Sequence, residues 1–467
     1  MRRSAFRVLI ASACVLPGYA SANDLLDSYR EALNQDTTLR AAKFQRDASI
    51  EVRPQALSAF LPQLNAQGNL SREHNEITTT NTRIITDPTN PAATVTTSNT
   101  FAYYNTVEQY QVTLTQTIWS FETFRRLKEA SVQVALAEAT YRSAQQSLIL
   151  RVAQAYFNML SATDAVRTNT AEQTANELQL LQAKKRFEVG LAAITDVQEA
   201  QASYDTSVST LIGSERTLSN AQRALAEITG RYADTAQALQ ENIPLATPDP
   251  ATPDQWLDAS RNENYDVMVA QLNSEIADRE VGAIRARHYP TLGLQANYGE
   301  NVNTSNFNSD SARAAVGLVL NVPIYSGGLT SSLVRQAVAT ADRTRANTQG
   351  TLRSVERQTR DAYQGVISGI ASVRANQQSV KSNQTALESS QVGLQVGTRT
   401  EVDVLNTLRN LYVAQRTYYQ SRYDYLISVL TLKQQAGRLS EADLASIDTL
   451  LTSTANIPPV PVPTAPK

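Results

Sequence analysis

The stretch Phe187-Glu188-Val189-Gly190-Leu191-Ala192-Ala193-Ile194-Thr195-Asp196-Val197 returns as Leu394-Gln395-Val396-Gly397-Thr398-Arg399-Thr400-Glu401-Val402-Asp403-Val404, at a constant offset of 207 residues. The chain of 467 residues therefore carries two copies of one architecture, and whatever one half folds into, the other must repeat. The copies agree best at a turn in which Val-Gly is followed by an acid.

Each copy, about 23–231 and about 255–451, opens with a helical segment, near 24–57 and 253–287. Proline closes each segment, in Leu61-Pro62-Gln63-Leu64 and in Tyr289-Pro290-Thr291-Leu292. The period then changes. Leu64, Ala66, Gly68 and Leu70 alternate with polar residues, as do Tyr110, Val112 and Leu114. In the second copy Leu292, Leu294, Ala296 and Tyr298 alternate, then Ala314, Val316, Leu318, Leu320 and Val322. This predicts two hairpins, about 62–119 and about 289–325, built from four strands of about ten residues, the length that crosses a bilayer at a tilt. The Thr- and Asn-rich residues 73–106 and the shorter 301–311 read as polar loops between the strands.

Long helices follow. Residues 122–189 contain neither proline nor glycine, and at about 1.5 Å per residue they reach on the order of 100 Å. Their counterpart, 329–396, is interrupted only by Gly350, Gly365, Gly369 and Gly393. The return helices, about 195–230 and about 400–436, carry Val197, Tyr204, Leu211, Leu218 and Leu225, and Val404, Leu411, Tyr418, Tyr425 and Leu432. That seven-residue spacing is a coiled-coil seam. Residues 232–254, with Pro244, Pro248, Pro250 and Pro253, read as a linker or small irregular layer, and 452–467 as a disordered Pro-rich tail.

Arg2, Arg3 and Arg7, the apolar run Val8 to Leu16, and Ala20-Ser21-Ala22 form a signal peptide over 1–22, so the chain is exported. The one cysteine, Cys14, lies inside it; a lipoprotein reading of Ala11-Ser12-Ala13-Cys14 is the alternative. A net charge of −2 argues against nucleic acid as a partner. The uncharged part of 314–334 is broken by Pro323 and Gly327-Gly328, which excludes a membrane-spanning helix there. A bilayer would be met through strands. Four strands alone leave unsatisfied edges in lipid, so closure needs further copies: two chains at least, and about twelve strands from three.

Ala155-Tyr156-Phe157-Asn158, the two turn strings, Tyr204-Asp205-Thr206 and Val322-Pro323-Ile324-Tyr325-Ser326-Gly327-Gly328 together make the chain resemble the TolC-like channel-tunnels of the outer membrane efflux protein family, up to about Leu451. The resemblance implies an α+β membrane protein of Gram-negative bacteria. A transmembrane β-barrel, four strands per protomer and twelve in a homotrimer, continues into a periplasmic barrel of antiparallel coiled-coil helices. It implies a passive exit duct for tripartite efflux and type I protein secretion, sitting in outer membrane lipid and using no cofactor. Its partners would be a periplasmic adaptor (membrane fusion) protein and an inner-membrane pump of ABC or RND type.

The resemblance also assigns residues. Thr195, Asp196, Thr398 and Arg399 fall on the latch that closes the periplasmic end, with Leu394 in place of the family's latch tyrosine. Asp403 falls on the first of two acidic pore rings, while the second position is Asn406, so the field that favours cations should be weaker. Glu199 is the first-copy counterpart of Asn406 and either restores charge to the pore or faces solvent. On the residues alone, Gly190 and Gly397 end helices in left-handed turns, and Thr195 with Gln198 and Thr398 with Glu401 form capping boxes. An enzyme has little support: the two histidines, His74 and His288, sit near strand ends, and no phosphate loop or metal-spaced set is present. The stronger rival is a periplasmic coiled-coil structural or adhesion stalk without channel activity.

Overall fold

The computed structural model describes residues 24–84, 94–232, 237–304 and 309–452. The signal peptide, Cys14 and the tail from 453 onward lie outside the described residues. The elements in chain order are α1 (Leu25–Gln35), α2 (Thr37–Ile50), α3 (Val52–Ser58), β1 (Gln63–Ile84), β2 (Thr94–Ser120), α4 (Phe121–Glu188), α5 (Ile194–Thr229) and β3 (Ala238–Leu239). Then follow α6 (Pro253–Glu263), α7 (Tyr265–Arg285), a 3-10 turn (Ala286–His288), β4 (Thr291–Thr304), β5 (Ser309–Asn321), α8 (Leu329–Gln395), α9 (Glu401–Gln435), α10 (Glu441–Asp448) and β6 (Leu451–Thr452). None of the described helices is long and apolar enough to cross a membrane.

Two compact units divide the chain. In the unit formed by Phe44–Thr140 and Met268–Thr351, the two hairpins join into one antiparallel sheet of order β1-β2-β4-β5. Register fixes its faces, because directly paired residues share a side and the side-chain period is two. Leu64 pairs with Leu114, Leu114 with Ala296 and Ala296 with Val316; the next row is Ala66, Val112, Tyr298 and Ala314. The opposite face carries Asn65, Thr113, Asn297 and Ala315, then Gln67, Gln111, Gly299 and Arg313. One face is thus apolar and the other largely amide, and the apolar one is bare: Val316 is 75% exposed and Leu64 68%.

A β-bulge between Thr117 and Trp119 turns Trp119 onto the apolar face opposite Leu292, where it meets Phe121 edge-on with centroids 5.0 Å apart. Tyr289 lies 5.2 Å from Phe121. From Trp119 to Tyr110 on the same face the paired stretch of β4, Leu292 to Glu300, advances eight residues, which at about 3.3 Å each and a tilt of about 40° rise about 20 Å, near the height of the apolar band between aromatic girdles of outer-membrane barrels.

The strands are longer than the sequence predicts: β1 has 22 residues, β2 27, β4 14 and β5 13. Much of the expected loop over 73–106, and of that over 301–311, is strand. The reason is the threonine in it. Its β-branched side chain suits a pleated surface exposed on both faces, and it pairs across the ladder, Thr78 with Thr100 at 3.0 Å and Thr80 with Ser98 at 3.3 Å.

The other unit is formed by Met1–Lys43, Tyr141–Val267 and Leu352–Lys467. Its core gathers Leu148, Tyr156 and Phe157 from α4, Leu225 from α5, and Tyr423 and Leu430 from α9. Of the predicted seams, Val404, Leu411, Tyr425 and Leu432 are buried, and in the first copy Val197 and Leu225. The proline-rich segment is pinned here. Tyr156, Tyr418 and Tyr425 donate hydroxyls to the carbonyls of Gln237, Glu241 and Ala246, and Arg422 reaches those of Leu239 and Gln240 at 3.2 and 2.7 Å. β3 pairs with β6, so the expected tail begins as a strand at Leu451–Thr452. Asp448 accepts from the Leu25 backbone N–H at 3.0 Å and so ties the described ends of the chain together.

The sheet's two faces make opposite predictions at adjacent residues. Val316→Arg, in the middle of the apolar band, should cost about 2–4 kcal/mol in lipid and abolish folded protein in membrane fractions. Ala315→Arg, on the amide face, should be tolerated; the yield of heat-modifiable oligomer on gels compares them.

Candidate functional site

The two tip turns are built alike. α4 ends at Glu188, and Gly190 takes φ 76°, a left-handed conformation that lets its N–H reach Phe187 O at 2.9 Å while Leu191 N–H reaches Arg186 O at 2.8 Å. α8 ends at Gln395, and Gly397 takes φ 77°, with Thr398 N–H donating to Gly393 O at 2.8 Å. Both glycines close helices as expected.

The capping boxes lie elsewhere than expected. In the second copy the N-cap is Thr400: its Oγ1 accepts from Asp403 N–H at 3.3 Å, and Asp403 Oδ2 accepts from Thr400 N–H at 3.0 Å and from its hydroxyl at 2.9 Å. In the first copy the equivalent pair is Ala193 and Asp196, and only the reciprocal bond, Ala193 N–H to Asp196 Oδ2 at 3.2 Å, is made because alanine has no acceptor. Thr195 lies inside α5 and is exposed. The Thr398 hydroxyl donates instead to Gly393 O at 3.2 Å. The acids win the caps because a carboxylate three residues into a helix reaches an orphan N–H and also favours the positive end of the dipole.

Arg399 Nη1 lies 4.0 Å from Asp403 Oδ1, so within one chain its carboxylate is that of its own turn rather than Asp196. The hydrogen bonds from the Thr400 backbone and hydroxyl, helped by Arg399, hold the Asp403 carboxyl below its usual range. The Arg399 stem lies over Gly393, where any Cβ would crowd it. That role was not read from the sequence, although a glycine inside an otherwise continuous helix marks a close approach.

Two further roles were not foreseen, that of Arg409 and, beyond the capping box expected with Thr398, that of Glu401. Arg409 Nη2 donates to Asn406 Oδ1 at 3.3 Å, so the position that lacks an acid also holds a cation. Glu401 is buried on α9 and faces Arg186 Nη1 of α4 at 3.9 Å, joining the two copies. Spacing from a reference turn, i and i+3 for Arg409, was the only signal for either. Glu199 is exposed on α5. Val189, Leu191 and Val396 stand bare at the turns, 70%, 75% and 69% exposed.

The description "Outer membrane efflux protein" belongs to a family profile that matches residues 28–231 and 256–438, one segment in each copy. Outer membrane protein TolC of Vibrio cholerae is 32% identical over 432 residues, 91% of this chain and 93% of that one. Alkaline protease secretion protein AprF of Pseudomonas aeruginosa is 29% identical over 450 residues, 95% of this chain and 90% of that one. Among solved structures, that of CusC, described for the changes accompanying its transmembrane channel formation, superposes with a TM-score of 0.73 at 19% identity, covering 89% of this chain and 92% of the other. The duplicated strands and helices, the bare apolar sheet face and the match through both copies have one reading: this chain belongs to the outer membrane efflux protein family.

Proposed function

We propose that three copies of this chain form an outer-membrane exit duct for efflux and type I secretion, passive and opened at its periplasmic end when a pump and adaptor dock. The observation that carries the reading is the open four-stranded sheet, apolar on one face and amide on the other. Three such sheets close into twelve strands with a wet lumen, and closure satisfies the edges that lipid would leave unpaired. The family is described by efflux and AprF by protease secretion, which supports both kinds of cargo, and the reading leaves no step for an enzyme. The duct reading is tested by reconstituting the protein into planar bilayers and recording single channels. Ion-conducting trimers support it; protein recovered soluble from the periplasm favours the stalk.

In this reading the tips form the gate. Arg399 sits between its own Asp403 and Asp196 of the partner subunit, and three such exposed, solvent-screened pairs bias the gate only weakly toward closure. Arg399→Ser and Asp196→Ala should each raise single-channel conductance; unchanged conductance removes the latch. A ring of Asp403 beside Arg409 presents a mixed field to passing ions, with Thr195 and Thr398 flanking the latch and Glu199 outside it. Arg409→Ala should shift the reversal potential in a salt gradient toward cation preference, and Asp403→Asn should shift it the other way.

The bare Val189, Leu191 and Val396 suit docking of the adaptor, since apolar side chains crowded at two adjacent turns gain by being covered. Leu191→Asp should abolish drug resistance or protease secretion in cells while leaving the conductance of the isolated trimer unchanged.

A further inference from the structure

The two copies invert at the first residue of their return helices. Ile194 begins α5 and is 51% exposed, whereas Glu401, its counterpart 207 residues on, begins α9 and is only 6% exposed. A glutamate in the first turn of a helix ordinarily points to water beside the positive end of the dipole. Here the second copy is packed onto the first, and the acid is caught in the contact. Leu405, one turn on, packs with Leu180 and Ala183 of α4 and with Val197 and Ala200 of α5.

The carboxylate is poorly served where it lies. Oε2 faces Arg186 Nη1 at 3.9 Å, an ion-pair distance with no hydrogen bond, and Oε1 has no hydrogen-bond partner. The Arg186 side chain is 36% exposed, so water shares its charge. The charges acting on Glu401 are Arg186 from α4 and Asp196 from α5; Arg399 of the preceding turn and Asp403 of its own helix are engaged with each other, and the last residues of α8, 389–395, carry no charge.

We propose that Glu401 is a further gate residue, a proton-sensitive clasp that holds the head of α9 against α4 and α5 when neutral and strains that contact when ionised. Arg186 is the cation that keeps the ionised form in place. The proposal rests on the reading of the two turns as the gate. It differs from the latch in joining the two helix pairs of one protomer rather than neighbouring protomers.

Burial raises the Glu401 carboxyl above the ordinary range, Arg186 lowers it and Asp196 raises it again, with a net rise. When α9 separates from α4, water returns the group to its usual range. Protonation therefore favours the packed, closed arrangement, and that preference is lost as pH rises through the raised value.

The test is the pH profile of single-channel conductance for reconstituted full-length trimers between about pH 5 and about pH 8. Wild-type conductance should rise severalfold with pH. Glu401→Gln should stay flat at the low-pH level, and so should Glu401→Ile, which copies Ile194. Arg186→Gln should conduct more than wild type near neutrality, and adding Glu401→Gln should cancel that gain. A Glu401→Gln protein that keeps the wild-type profile overturns the clasp, as does an unchanged Arg186→Gln. If Arg399→Ser and Asp196→Ala raise conductance while these variants do not differ, only the clasp falls; if all four leave it unchanged, the gate falls with it.

Discussion

Backbone hydrogen bonding at the sheet edges governs everything else in this chain. β1 and β5 each have a partner on one side only, and an unpaired peptide group in hydrocarbon costs several kcal/mol. No choice of side chains removes that penalty; only closure does. The duplication could have given two separate two-stranded modules with four open edges. Instead β2 and β4 pair from Thr106 with Thr304 to Ser120 with Thr291, which welds the copies into one sheet and leaves two edges per chain. In the proposed trimer the four-stranded sheet of one chain is therefore the unit of closure. The bulge at Thr117 and Trp119 lies just past the last β1 pair, Gln63 with Thr115, where β2 keeps only β4 as a partner, and it delivers the indole to the apolar face.

Legibility in the sequence followed period and backbone chemistry. A stretch of 68 residues without proline or glycine has little alternative to a helix, and α4 is that stretch. The alternation at Leu64, Ala66 and Gly68 marked a strand, but its end was hidden, because threonine and asparagine read as loop in a list of polar residues while threonine builds ladders. Tyr418 and Tyr425 read as seam. Their rings do pack, yet their hydroxyls hold the proline-rich segment, and nothing in a heptad pattern distinguishes a tyrosine that only packs from one whose tip finds a carbonyl. The composition held a trace of this in its 19 tyrosines against 9 phenylalanines. Glu401 was least legible: its burial comes from the second copy lying on the first, a tertiary fact that no window of sequence contains.

At the turns, helix capping and gating had read as rival explanations of the same residues. A carboxylate has two oxygens, and the geometry gives each a different task. Asp403 spends Oδ2 on the Thr400 backbone and hydroxyl and turns Oδ1 toward Arg399; Asp196 likewise gives Oδ2 to Ala193 N–H. The cap fixes where the second oxygen points, so it orients the acid for an ion pair without the entropy loss of immobilising a free side chain. In the proposed gate, a latch made this way would break and re-form without unfolding its turn, because the bond that shapes the helix end is not the bond that would open. The copies differ in how firmly this is done. Thr400 closes a full box where Ala193 closes half of one, so the second-copy acid is the more rigidly aimed. The tip that carries the arginine is thus also the one whose helix end is best able to move as a unit.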